Sequence, residues 1–148
     1  MPSVFEKLNL KAQDEILVIN APPSFEPELA ALAGVTVLRD PEEARAVQFA
    51  LAFATQQADV DRLSRLLVAR AEGDALLWFA YPKGTSRKYK CEFNRDTGWR
   101  VLREAGFDTV RQVAIDDDWS ALRFRRVEYI KSSNKPARVR PDKRSREQ

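Results

Sequence analysis

The sequence predicts a three-layer α/β sandwich of Rossmann-like form, with a mostly parallel sheet of about six strands and an antiparallel last strand. Three observations predict it. Short apolar, β-branched or aliphatic runs alternate with helical patterns along residues 1–130. Glycines stand at the junctions, at Gly34, Gly73 and Gly106, and the final run, 121–130, changes to a period of two. One core suffices for this length, because a chain of about 150 residues buries roughly 70% of the surface it exposes when unfolded.

The elements follow in order. Ser3 and Glu6 fit a capping box for a short N-terminal helix. Residues 15–20, Glu-Ile-Leu-Val-Ile-Asn, are a compact apolar run suited to a buried first strand, which Pro22 and Pro23 stop. Ser24 caps a helix over 24–33 that ends at Gly34, and 35–38 return as a second strand. Asp40 before Pro41 is a cap followed by a first-position proline, so 41–45 reads as a helical turn before a third strand, 47–54. The clearest helix spans 55–72, with Val60, Leu63 and Leu67 inward, Arg62, Arg65 and Arg70 outward, and Gly73 as its stop. Asp61 and Arg65 are spaced for an i,i+4 ion pair on its outer face. Residues 75–81, Ala-Leu-Leu-Trp-Phe-Ala-Tyr, are apolar on both faces, as a central strand between two helical layers must be. A polar loop runs to Asn94. A helix over 95–105 then holds Gly98 within it and turns Trp99 and Leu102 inward, and Gly106 ends it. A fifth strand, 109–115, reaches the bend Asp116-Asp117-Asp118. Beyond it, 121–130 reads as an antiparallel edge strand in which Leu122, Phe124, Val127 and Tyr129 are interspersed with Arg123, Arg125 and Glu128.

Charge divides the chain in two. Over the whole sequence 25 Lys and Arg face 22 Asp and Glu, a net +3. Residues 131–148 hold seven of the bases and two of the acids, a local +5, which leaves residues 1–130 at −2. With Val139 its only large apolar residue, that tail has too little to bury and reads as disordered. The expected organisation is a single Rossmann-like domain, 1–130, followed by a basic tail, 131–148. Such a tail is suited to contacting nucleic-acid phosphates without reading sequence.

Composition removes most catalytic chemistry. Without histidine there is no Ser-His-Asp triad, no Cys-His pair and no histidine general base within the chain. Cys91 stands alone, so an internal disulfide and a cysteine-rich metal site are excluded, and with no base beside it the thiol reads as incidental. No apolar run approaches the ~18 residues of a membrane span, and the N-terminus lacks a signal-peptide pattern, so a cytoplasmic location and no membrane partner are expected. A dinucleotide or S-adenosylmethionine site needs glycines directly after the first strand, where a Cβ would collide with the ligand. That turn reads Asn20-Ala21-Pro22-Pro23. No cofactor and no metal are therefore expected. The three consecutive aspartates read as a solvated bend in which Asp116 accepts bonds from Ser120 or a loop N–H.

In open α/β sheets, ligands bind beyond the carboxyl ends of the strands. There the longest loop, after the fourth strand, carries Lys83, Ser86, Lys88 and Lys90, followed by Arg95 near the next helix N-terminus. Those cations and hydroxyls are suited to a phosphate or carboxylate.

The strings Trp78-Phe79-Ala80-Tyr81-Pro82-Lys83 through Ser86, Asn94 through Trp99, and Val113 through Phe124 resemble a bacterial family known only as a domain of unknown function, the one numbered 3052. The resemblance covers residues ~3–130 and marks Lys83, Ser86, Asp116, Trp119, Ser120 and Arg123. The order of elements also resembles a class I methyltransferase core reduced to six strands, with the first glycine loop lost. The resulting expectation is a non-catalytic or vestigial Rossmann-like module that binds a small anionic ligand or a protein partner at the carboxyl edge of the sheet. The alternatives are a nucleic-acid-associated accessory protein using the basic tail, and a degenerate methyltransferase-like enzyme.

Overall fold

The computed structural model describes residues 4–10, 13–86, 90–91, 93 and 98–133. Six strands form one sheet: β1 (Glu15–Ile19), β2 (Thr36–Leu38), β3 (Val47–Phe53), β4 (Ala71–Pro82), β5 (Phe107–Ala114) and β6 (Trp119–Arg126), in the order β2-β1-β3-β4-β6-β5. The first four are parallel, and β6 runs antiparallel to both β4 and β5. The predicted architecture is thus the observed one. The last strand, however, lies inside the sheet, and β5 is the edge. The short turn after β5 returns β6 into the gap beside β4, where its apolar residues gain a neighbour on each side. A bulge at Val110, the one large apolar side chain exposed among the described residues, interrupts the outer strand. Such an irregularity makes an edge a poor template for further pairing.

Helices cover both faces. On one lie α3 (Gln57–Arg70) and α4 (Arg100–Glu104), which bury Val60, Leu63, Leu67 and Leu102 against Leu77, Phe79 and Phe124 of the sheet. On the other, α1 (Val4–Lys7), a 3₁₀ turn (Pro23–Phe25) and α2 (Glu26–Ala30) bury Phe5, Phe25 and Leu29 against Phe49, Phe53 and Trp78. The Trp78 indole N–H, fully buried, donates to the Leu8 carbonyl at 2.9 Å and ties the N-terminal segment to the central strand. Asp40 caps its turn as expected, accepting from the Glu42 N–H at 2.9 Å.

Several boundaries differ from the sequence expectation. α3 ends at Arg70, and Ala71 already has extended backbone angles, so Gly73 lies in the strand instead of stopping the helix. Between Val47↔Ala71 and Phe49↔Leu76, β3 advances two residues while β4 advances five, and Gly73, at φ +54°, takes up the slack. Gly98 is not helical: it sits at φ +93° before α4 starts at Arg100. Arg126 ends β6, and Val127–Ser133 form a helix, α5, where strand to Ile130 and a disordered tail from Lys131 are expected from the sequence. Asp61 accepts from the Gln57 side chain at 2.9 Å, while Arg62 pairs with Asp59 at 3.7 Å. Of the expected disordered tail, 131–148, the part after Ser133 lies outside the described residues, as does the expected cap Ser3.

Candidate functional site

Strand order locates a crevice. From β1 the chain moves outward to β2, then crosses back to place β3 on the other side of β1, so the direction of winding reverses between β1 and β3. Ligands of open α/β sheets sit at such a reversal, beyond the carboxyl ends of the strands. Here that point is bordered by Asn20 and Ala21 after β1 and by Ala54, Thr55 and Gln56 after β3. Apart from Asn20 and Ala21, these residues are not singled out by sequence. They carry no motif, and only the pairing of strands shows that they meet.

Asn20 has φ +60°, the left-handed conformation for which glycine is usual and asparagine is tolerated. The turn therefore keeps a glycine-like backbone without a glycine's open space. After Ala21 come Pro22, buried, and Pro23, neither with an N–H to donate, and the Phe25 N–H is already bound to the Pro22 carbonyl at 2.9 Å. At the end of β2, Asp40 is turned back to cap its own helical turn. Arg39 there makes two bonds of 2.9 Å to the Glu26 carboxylate, and these hold the Glu26 pKa below the usual carboxylate range.

The predicted site residues separate into groups. Lys83 through Ser86 fold into a turn, with the Ser86 N–H on the Lys83 carbonyl at 3.0 Å. This turn is fastened to the β5–β6 bend: the Lys83 N–H donates to the Asp118 carbonyl at 2.8 Å, and the Ser86 hydroxyl donates to Asp118 Oδ1 at 2.9 Å. Asp116 Oδ1 accepts from the N–H groups of Asp118 and Trp119 at 2.8 and 2.9 Å, the role expected for it from loop amides. Trp119 is buried, its ring 5.1 Å from that of Phe53, and Ser120 is buried opposite Tyr81. Lys90 is exposed. Lys88 and Arg95 lie outside the described residues. Lys83, Ser86, Asp116, Trp119 and Ser120 thus share one corner of the sheet.

Two features of this corner bear on its chemistry. The proton of the Ser86 hydroxyl is directed at the Asp118 carboxylate, and the turn that carries Lys83 is fastened to a bend of three aspartates, Asp116 to Asp118. Arg123 is not in this corner. It lies four residues along β6 from Trp119, about 13 Å at the rise of a strand, beside Trp78 and Arg111. The expected helix N-terminus near Asn94 is not part of the described structure, in which α4 begins at Arg100.

No family model matches the chain, and no curated protein matches it. Solved structures do. A SAM-dependent methyltransferase from Aquifex aeolicus superimposes with a TM-score of 0.58 at 15% identity, over 82% of this chain and 87% of that one. The mitomycin 7-O-methyltransferase MmcR gives 0.54 at 12% identity, and this chain spans 52% of its length. The [4+2]-cyclase SpnF gives 0.52 at 11% identity, over 83% and 78% of the two chains. At these identities the likeness is one of fold, and it supports the expected resemblance to a methyltransferase-like core. The residues beyond β1 and β2 do not fit the cofactor named in the first of these. A cradle for a nucleoside cofactor needs unblocked N–H donors and room beside the backbone. The turn after β1 offers two prolines and an Asn side chain at the glycine-like position, and the aspartate after β2 is already bound to its own turn.

Proposed function

We propose that the chain is a non-catalytic binding module on a methyltransferase-like scaffold, whose ligand occupies the carboxyl edge of the sheet between the β1 turn and the Lys83 loop. The observation that supports it is the turn Asn20-Ala21-Pro22-Pro23, which has a glycine-like, left-handed Asn20 but two prolines with no N–H to donate. The corner beyond β4 is held rigid by the two bonds to Asp118, so binding there costs little ordering entropy. Lys83, half-buried at that rim, is the group suited to an anionic ligand. Thermal denaturation with nucleotides and phosphorylated metabolites tests this reading. A ligand of this class should raise the Tm of the wild type more than that of Lys83→Ala, whereas equal responses from the two overturn this reading.

The fold similarity favours a second reading, an enzyme of methyltransferase type. Titration calorimetry with S-adenosylmethionine separates the two. No heat of binding is expected, and saturable binding would favour the enzyme and overturn the module.

A further inference from the structure

Face by face, the sheet is not covered equally. The helices of the α1 and α2 layer cluster with apolar residues of β1, β3 and β4, and with Val113, Trp119 and Ala121 at one end of β5 and β6. Further along the same face, beyond Trp78, the side chains change from apolar to cationic. Arg111 on β5 and Arg123 on β6 are directly opposite each other, and Arg125 follows two residues along. Directly opposed like charges destabilise a strand pair, and a partly buried guanidinium adds a desolvation cost.

The carboxylates nearby are committed elsewhere. Asp74 receives both forks of Arg125 at 2.8 and 2.6 Å, and Asp108 receives Arg103 at 2.7 Å. No ion pair involves Arg111 or Arg123 among the described residues. Moreover, the Nε of Arg123 is buried with no hydrogen-bond partner among the described residues. Native structures rarely leave such a donor unmet, and an exception calls for a water or an ion. Water can accept that bond but cannot neutralise two guanidiniums. Burial, followed by the nearby charge of Arg125, lowers the Arg123 pKa below the usual arginine value, which is the direction that a bound anion would reverse.

We propose that Arg111 and Arg123 form a binding site for a phosphate dianion on the open face of β5 and β6, on the far side of Trp78 from β3. The charge argues for a dianion: one carboxylate already matches Arg125, and two guanidiniums remain. Guanidinium forks suit the paired oxygens of phosphate, and Arg111, exposed, leaves the site open from solvent. The site is separate from the Lys83 corner and does not depend on it.

The test uses the full chain at constant ionic strength, with inorganic phosphate, a phosphomonoester such as glycerol 3-phosphate, and chloride as the reference anion. Phosphate at ten times its Kd should raise Tm by about 3–6 °C, saturably. Arg111→Gln and Arg123→Gln should each lose that rise, while Arg62→Gln on α3 should keep it. Arg111 is exposed, so its variant should fold, with circular dichroism as the check. The Arg123 Nε–H resonance of the wild type should also move with the same titration midpoint. A tighter Kd for the phosphomonoester would identify an organic phosphate as the source, and a tighter Kd for inorganic phosphate the free ion. Equal response to phosphate and chloride overturns the proposal. So does a rise that survives Arg111→Gln but is lost in Lys83→Ala, which would place the anion at the other corner.

Discussion

Gly73 and Gly98 both have positive φ, yet their surroundings make them unequal. A Cβ built on Gly98 would lie 2.7 Å from Gln57 Oε1 and 2.8 Å from the Cβ of Phe93. The second atom sits next to the backbone and cannot swing aside. At Gly73 the nearest atom is the Tyr129 hydroxyl, at an ordinary 3.6 Å. Gly98→Ala should therefore cost about 3 kcal/mol, adding overpacking to backbone strain, and Gly73→Ala about 1 kcal/mol from strain alone. Urea denaturation of the two variants checks the difference, and equal losses would mean that Phe93 can retreat. At this scale the sequence is least informative. The sequence reads Gly73 as a helix stop and Gly98 as a residue within a helix, because glycine marks a need for space or for positive φ without saying which.

Among elements, the β5–β6 bend is the junction on which the candidate corner depends. It presents Asp116 to its own amides and Asp118 to the Lys83–Ser86 turn, so one short bend orders two loops. Asp118→Ala should lower stability by roughly 1.5–3 kcal/mol, the range for a lost bond to a charged group. It should also speed amide exchange at Ser86 more than at Phe79, since the loss is local. Exchange that rises equally at both sites would show that the bend supports the whole sheet. The acidic run and the Lys83 loop were both legible in the chain as features of the carboxyl edge. That Asp118 binds Ser86 was not, because they are 32 residues apart and meet only through the pairing of β4 with β6.

The whole molecule has two cores on one sheet, and the central strands belong to both. Leu77 and Phe79 face α3 and α4, while Leu76 and Trp78 face the N-terminal helices. Damage on either face should therefore be felt by the same cooperative unit. Phe5→Ala and Leu102→Ala, on opposite faces, should each cost about 3–5 kcal/mol and shift one shared transition. Fluorescence and circular dichroism should report coincident midpoints in both variants, and separate transitions would indicate that the layers unfold independently.

The sequence by itself determined the class of fold, the parallel β1 to β4 run and the absence of a glycine cradle after β1. These depend on local apolar periodicity and on which residue stands at a turn. Tertiary structure alone decided that β6 lies inside the sheet, that the winding reverses between β1 and β3, and that Arg123 belongs with Arg111 on an open face instead of with Lys83. A strand carries the same alternation at an edge as in the interior. Its neighbours are chosen by hydrogen bonds between segments distant in the chain, and it is those neighbours that set which charges meet.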